Sequence, residues 1–446
     1  MEHLASCLPC VGLIVAALLA AGWAAPAPAA VSPTSPDAVN ERIQKCRTAD
    51  VTLTVTGADG KPLAGAAVTV RQERHKFLFG SNAFAIKPGD AGKAQQDYRD
   101  RYAALLNYAT LPFYWGAFER QEGRPGTDRV RGMAEWCAQN HIRAKGHPLC
   151  WHEVQPQWLD AKTIDEVKSL QLGRITRDVT AFAGLIDTWD VVNEAVRMND
   201  YNPDTNRIAQ LCRKLGRVGL IKETFASARA ANAKATLILN DFDTSAGYEA
   251  LIKDCLAAGV TIDVIGIQSH MHGGYWGAGK AWEVCERFAR FGKPIHFTET
   301  TIASGDARQN INWSGRYTDW VTTPEGEKRQ AREVAEFYRV LFSHPAVAGI
   351  TWWDFSDAEA WLGAPSGLVR KDMSPKPAYD ALMAMVKKEW WTATLELKAD
   401  AAGKVKFHAF LGQYAVESGA ARGTLDVSAA GEAALAVKLA TEAAKK

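Results

Sequence analysis

Eight short apolar runs recur through the middle of this chain, separated by longer stretches with apolar residues at helical spacing, such as 221–231 and 328–342. The runs are residues 77–80, 108–113, 142–147, 188–193, 236–240, 264–270, 295–298 and 349–353. Eight strands that alternate with helices over about 300 residues predict an α/β fold of the (β/α)8 TIM barrel type. The alternative is an open doubly wound sheet, which usually carries a Gly-rich phosphate loop, and no G-x-G-x-x-G follows the first run.

The N-terminal residues have the pattern of an export signal. Residues 11–21 form an apolar stretch, and a small-residue tract at 25–30 follows as a cleavage zone. No Lys or Arg precedes the stretch, so a buried helix is the alternative. We expect a secreted or periplasmic protein with no membrane association after signal removal, because no apolar run reaches the roughly 20 residues of a membrane-spanning helix.

Runs of alternating apolar and polar residues also flank the central region on both sides. They are residues 51–55, 67–70, 392–397 and 405–410, and turn residues separate the members of each pair. The predicted parts of the chain are a signal peptide (1–30), a linker with a small N-terminal β unit (31–75), the barrel (76–389), and a small C-terminal β region with a tail (390–446). The N-terminal unit is too short for a full sandwich, so we expect it to pack onto the barrel.

Charge and cysteine content narrow the class of protein. Lys plus Arg number 52 and Asp plus Glu 50, so no basic excess indicates a nucleic-acid partner. Hydrophobic residues make up 47%, which excludes disorder of the whole chain. Signal removal would leave six cysteines without any C-x-x-C pair, so a zinc site is not expected. Disulfides and buried free thiols both remain open, and we expect a monomer.

Two of the predicted strands end in a carboxylate, Glu194 after residues 188–193 and Glu299 after residues 295–298. The C-terminal ends of barrel strands share one rim, so both carboxylates face the same cleft. A buried unpaired carboxylate is costly, so each needs a partner or a chemical role. A structural salt bridge is the alternative for either Glu alone. Two carboxylates at one cleft suit glycoside hydrolysis, in which one protonates the leaving oxygen while the other attacks the anomeric carbon.

Several motifs resemble glycoside hydrolase family 10, the xylanases. Trp-Asp-Val-Val-Asn-Glu at 189–194 resembles the acid/base motif, and Gly-His-Pro-Leu-Cys-Trp-His at 146–152 resembles the third-strand motif. Gln-Ser-His at 268–270 matches the sixth-strand Q-x-H, and Phe-Thr-Glu at 297–299 fits the nucleophile strand. Residues 352–361 are similar to the eighth-strand motif, W-G-x-x-D-x-x-x-W. The motifs occur in the family's order.

The resemblance implies a role for each matched side chain. Glu194 would be the general acid/base and Glu299 the nucleophile. The substrate-binding residues that it implies are His147, Trp151, Asn193, Gln268, His270, Trp353 and Trp361. Among these, His270 would hydrogen-bond the nucleophile and the tryptophans would wall the sugar sites. Structural roles are the alternative for the two histidines, as is barrel packing for Trp151 and Trp353. No metal or organic cofactor is implied.

The chain departs from the family on the glycone side of the cleft. The family's second strand ends in E-N-x-M-K-W, whose Glu, Asn and Lys hold a xylose, whereas residues 110–115 read Thr-Leu-Pro-Phe-Tyr-Trp. Thr110, Leu111 and Tyr114 thus replace a carboxylate, an amide and an ammonium. We expect weak activity on unsubstituted linear xylan relative to another β-glycan or a decorated xylan, because Tyr114 and Phe113 offer stacking surfaces instead of charge.

The sequence therefore predicts a retaining glycoside hydrolase that cleaves β-glycosidic bonds in a xylan-like plant polysaccharide by double displacement. The alternatives are the same mechanism on another β-glycan or β-glycoside, and a non-catalytic glycan-binding barrel. A binder has no need of a costly like-charge pair, which speaks against the last. A phosphate-binding barrel enzyme would need a Gly-rich cradle after the seventh and eighth strands, which Ser304 and Gly305 do not supply.

Overall fold

The computed structural model describes residues 32–441, which contain sixteen strands and twelve α-helices. The strands are β1 (Thr48–Thr56), β2 (Ala67–His75), β3 (Leu78–Asn82), β4 (Tyr108–Pro112), β5 (Arg143–His147), β6 (Thr188–Asn193), β7 (Thr236–Asp241), β8 (Val264–Ile267), β9 (His270–Met271), β10 (Ile295–Ile302), β11 (Val347–Trp352), β12 (Leu395–Lys398), β13 (Lys404–Phe410), β14 (Gly412–Ser418), β15 (Ala421–Val427) and β16 (Gly431–Lys438). The helices are α1 (Pro36–Arg47), α2 (Lys93–Leu105), α3 (Trp115–Phe118), α4 (Thr127–Gln139), α5 (Ile164–Ala181), α6 (Ala195–Met198), α7 (Arg207–Leu215), α8 (Arg217–Ala231), α9 (Ala246–Ala257), α10 (Gly277–Ala289), α11 (Pro324–Ser343) and α12 (Pro377–Ala384).

Strands β3 to β8, β10 and β11 form a closed parallel barrel with helices between consecutive strands. Neighbouring strands pair in chain order, and β11 pairs with both β10 and β3, which closes the ring. The short β9 pairs with the C-terminal end of β10. Each barrel strand overlaps one of the eight predicted runs, and the predicted (β/α)8 barrel is confirmed.

Local capping signals fix where the outer helices begin. The Thr163 hydroxyl accepts a hydrogen bond from the Glu166 N–H, and the Glu166 carboxylate accepts one from the Thr163 N–H, which forms a capping box before α5. Thr323 caps α11 in a similar way, and Pro324 occupies its first turn. Because α11 follows β10, this cap fixes the end of a long loop, residues 303–323, at the C-terminal rim of the barrel.

The two flanking regions pair with each other in a β-sandwich. Strand β1 lies between β13 and β16, while β2 lies between β12 and β14 with β15 at the edge. The inward side chains form a hydrophobic core of their own. Each of the two N-terminal strands is therefore part of a sheet that C-terminal strands complete, whereas we expected the N-terminal unit to pack onto the barrel. An alternating pattern shows that a strand has a buried face, but it does not show which distant strand pairs with it.

The six cysteines within the described residues are free thiols, five of them buried and Cys46 partly exposed. In this part of the chain the structure thus favours buried thiols over disulfides. The predicted signal peptide and the last five residues lie outside the described range. None of the helices between residues 32 and 441 is long and apolar enough to cross a bilayer.

Candidate active site

The two carboxylates lie at the C-terminal rim of the barrel, Glu194 after β6 and Glu299 within β10. Glu194 directly follows β6, and its φ of 57° places it in the left-handed region, which is uncommon for a residue other than glycine. Its N–H donates to the Asn240 carbonyl at 2.9 Å, and the Glu299 N–H donates to the Gln268 carbonyl at 3.0 Å. The backbone of each carboxylate is therefore fixed by a neighbouring strand end.

The Glu194 side chain is held by three donors. The Trp151 indole donates to Oε2 at 2.9 Å, while the Gln268 and Asn193 amides donate to Oε1 at 2.8 and 3.1 Å. Burial raises the pKa of Glu194 to about 8. The hydrogen bonds from Gln268 and Trp151 lower this pKa, and the negative charges of Glu299 and Glu153 raise it. Glu194 is therefore protonated at neutral pH, as a general acid must be.

Glu299 has the opposite electrostatic environment. Burial alone would raise its pKa, but the charge of His147, the hydrogen bond from His270 and the charge of Lys145 lower it below its ordinary value. The His270 Nε2 donates to Oε2 at 3.1 Å, and His147 Nε2 lies 3.9 Å from Oε1. The Asn240 amide donates to Oε1 at 2.7 Å. Glu299 is thus an ionised carboxylate, the form in which it can act as a nucleophile.

Asn240 connects the two carboxylates, and sequence reasoning assigned it no role. Its amide donates to the Asn193 oxygen at 2.8 Å as well as to Glu299, and its own oxygen accepts from Thr298 at 2.6 Å. Asn193 in turn donates to Glu194. The side chain is at the end of a predicted barrel strand, and a polar residue at that position was the signal available to find it.

A buried ion pair is linked to Glu299 through His147. Lys145 Nζ is 2.5 Å from Asp190 Oδ2, and His147 Nδ1 donates to the same oxygen at 2.7 Å. All three side chains are buried. Burial opposes ionisation of Asp190, but Lys145 and the hydrogen bond from His147 lower its pKa. Asp190 thus orients the His147 ring so that Nε2 faces Glu299.

Four aromatic rings form a closed circuit on one wall of the site: Phe84, Tyr114, His147 and Trp353. Each ring meets the next edge to face, with centroid distances of 5.7, 5.4, 5.4 and 5.5 Å around the circuit. Tyr114 also lies 5.5 Å from Trp151. The ring of Tyr114 therefore belongs to the site, at the position where the family has an ammonium group.

Thr110 and Leu111, which also replace polar or charged residues of the family, do not add apolar surface to this wall. Leu111 lies wholly buried in the main hydrophobic core, and Thr110 is also fully buried. The Thr110 hydroxyl has no hydrogen-bond partner among the described residues. Of the three replacements, Tyr114 is thus the one that contacts the aromatic rings of the site.

Trp361 packs against His270, the histidine that donates to Glu299. Its ring centroid lies 4.8 Å from that of His270 and 5.3 Å from that of His272. The Trp361 N–H donates to Asp354 at 2.9 Å, and Asp354 also accepts from Ser366 at 2.6 Å. Asp354 therefore fixes the turn that carries Trp361.

All nine predicted site residues are linked through these contacts. They are His147, Trp151, Asn193, Glu194, Gln268, His270, Glu299, Trp353 and Trp361. Within the described residues, His152, Glu153 and Glu194 could offer ligand atoms to a metal ion, since these atoms lie within 4.8 Å of one another. Glu194 is already held by three donors, and hydrolysis by two carboxylates needs no metal.

Comparison with known proteins places this site in a family. Residues 91–385 match the family model described as Glycosyl hydrolase family 10. Endo-1,4-beta-xylanase A of Caldicellulosiruptor sp. (strain Rt8B.4) is 29% identical over 269 residues, which cover 56% of this chain and 38% of that protein. The anti-sigma-I factor RsgI6 of Acetivibrio thermocellus is 24% identical over 397 residues, which cover 85% of this chain and 46% of that protein.

Solved structures of xylanases share the fold. Xylanase 10B from Thermotoga petrophila RKU-1, solved with xylobiose, is 24% identical and superposes with a TM-score of 0.59 over 70% of this chain and 95% of that one. The chain spans less than half the length of the two curated relatives above. The family match, by contrast, covers more than half of the chain and nearly the whole barrel. The chain belongs to glycosyl hydrolase family 10.

Proposed function

We propose that the protein is a retaining glycoside hydrolase that cleaves β-glycosidic bonds in a xylan-like polysaccharide. The observation that supports this most strongly is the opposite electrostatic environment of the two carboxylates. Burial raises the pKa of Glu194 to about 8, whereas His147, His270 and Lys145 outweigh burial and lower that of Glu299. A protonated acid and an ionised nucleophile therefore coexist at neutral pH.

In the first step, a Glu299 oxygen attacks the anomeric carbon while the bond from that carbon to the leaving oxygen breaks. Glu194 gives its proton to the leaving oxygen, and the Trp151 and Gln268 hydrogen bonds stabilise the carboxylate that remains. The product of this step is a covalent ester between Glu299 and the sugar.

In the second step, water attacks the anomeric carbon and the ester bond breaks. Esterification has removed the negative charge of Glu299, so the pKa of Glu194 falls and this residue can accept the proton of the water. The sugar is released with its anomeric configuration retained, and both carboxyl groups return to their starting forms.

The substrate class is inferred from relatives that are named as xylanases. Asn193 and Gln268 place amide groups beside Glu194 that can hydrogen-bond sugar hydroxyls, and Asn240 holds Asn193 in place. The ring of Tyr114 in place of an ammonium favours a decorated xylan or another β-glycan as the alternative. The predicted signal peptide supports a secreted or periplasmic location, and we propose that the enzyme acts as a monomer.

The test is hydrolysis of a panel of β-glycans and aryl β-glycosides by the purified protein, with reducing ends counted. Glu299→Ala should abolish turnover of every substrate. Glu194→Ala should slow substrates with poor leaving groups most, because an activated aryl group leaves without protonation. Near-normal activity of Glu299→Ala would overturn the assignment, and so would a wild-type protein that cleaves none of the panel.

A further inference from the structure

An exposed tryptophan lies on the rim loop between β10 and α11. Trp313 keeps 49% of its surface exposed, whereas Trp353, Trp320 and Phe355 are buried. Its ring centroid lies 5.6 Å from that of Trp361 with an interplanar angle of 32°, and 5.6 Å from that of His272. Trp313 therefore extends the face of Trp361 outward.

A chain of contacts leads from the nucleophile to this residue. Glu299 accepts a hydrogen bond from His270, whose ring lies 4.8 Å from Trp361, and Trp361 in turn contacts Trp313. Two rings, those of His270 and Trp361, thus separate Glu299 from Trp313 in this series of contacts, and Trp313 adjoins the wall that a bound sugar would contact.

The loop that carries Trp313 has its own small core, and Trp313 is left out of it. Trp320 packs with Ala303 and Ala364, and Tyr317 packs against this cluster. The Trp320 indole donates to the Asp306 carbonyl at 2.9 Å.

The same loop is attached to the turn that carries Trp361. The Tyr317 N–H donates to the Leu362 carbonyl at 2.7 Å, directly beside Trp361. Arg308 lies over the rings of Tyr317 and Trp320 and pairs with Asp319. The loop thus packs Tyr317 and Trp320 against its own core, whereas it leaves Trp313 exposed to solvent beside the cleft.

We propose that Trp313 forms a distal sugar-binding subsite, which stacks against a unit of the glycan chain beyond those bound at the carboxylates. A flat indole suits the apolar face of a sugar ring, and an exposed aromatic surface at a cleft is a common mark of a ligand site. The proposal rests on the proposed function, because it assumes a chain-like substrate. It predicts that Trp313 matters more as the substrate becomes longer.

The test compares kcat/KM for xylohexaose with kcat/KM for an aryl β-xylobioside in wild type and Trp313→Ala. The ratio of the two values should fall ~3- to 10-fold in the variant, the range that one aromatic contact supplies. Trp313→Phe should restore most of the ratio, since a flat ring remains. Val321→Ala is the matched control, because Val321 is an exposed apolar residue of the same loop and should leave the ratio unchanged.

An unchanged ratio in Trp313→Ala would overturn the subsite, and so would an equal loss on both substrates, which indicates a general disturbance of the rim. Failure of the proposed function has a different signature, namely a wild-type protein that cleaves neither substrate. In that case calorimetric titration with xylohexaose and xylobiose tests the subsite through the difference between the two binding affinities. A preference for the longer sugar that Trp313→Ala removes would sustain the subsite, and the absence of such a preference would overturn it.

Discussion

Replacement of Asp190 by Asn should destabilise the barrel strongly. The substitution keeps the shape of the side chain but removes the charge that faces Lys145 at 2.5 Å and accepts from His147 at 2.7 Å. Both partners are buried, so water cannot replace the lost carboxylate. A buried ion pair that loses one partner costs about 3–5 kcal/mol. This is a large part of the roughly 5–15 kcal/mol by which a typical domain is stable.

The free energy of unfolding measured in urea tests this expectation. Asp190→Leu combined with Lys145→Met should recover part of the stability, since no buried charge is left without a partner and only the His147 Nδ1–H loses its acceptor. A loss below about 1 kcal/mol in Asp190→Asn, or a double variant no more stable than the single one, would refute the role of the pair.

Two further predictions concern activity. The kcat/KM should fall as pH rises above about 8, because Glu194 must be protonated, and it should fall in acid as Glu299 is neutralised. Gln268→Ala should move the alkaline limb of this profile to higher pH, since the Gln268 amide stabilises the Glu194 anion. An alkaline limb that does not move would show that another group titrates there. Tyr114→Lys should raise kcat/KM on linear xylan relative to decorated xylan, because it places an ammonium group beside His147. Phe84→Leu is the control, since it loosens the same ring circuit but adds no charge. An equal gain in both variants would contradict the reasoning.

The barrel and the position of two carboxylates at its rim could be predicted because their signals are local. Each strand is a short apolar run, and Glu194 and Glu299 follow such runs at the rim where barrel chemistry occurs. The motif around Glu194 also contains Asp190, but its bond to Lys145 depends on how the interior layers of neighbouring strands align. That alignment is a property of the closed barrel and leaves no pattern in the sequence.

The remaining features depend on contacts between distant segments. Phe84 follows the first barrel strand, yet its ring meets Trp353, which follows the last strand, because β11 pairs with β3. For Leu111 the sequence led to the wrong location. It aligns with a polar residue that binds sugar in the family, which suggested a position in the cleft, but the structure buries it in the hydrophobic core. The pairing of β1 with β13 and β16 likewise joins the two ends of the chain, which strand alternation alone does not reveal.

The stereochemistry of the first-formed product tests the central claim most directly. Double displacement by Glu194 and Glu299 requires carboxyl groups about 5–5.5 Å apart and gives net retention, whereas a gap of about 6.5–9.5 Å leaves room for a water and gives inversion. Proton NMR of a β-glycoside digest, recorded before mutarotation, distinguishes the two outcomes. The β-anomer should appear first and the α-anomer should then grow at the rate of mutarotation. A first-formed α-anomer would contradict the assignment of Glu299 as the nucleophile.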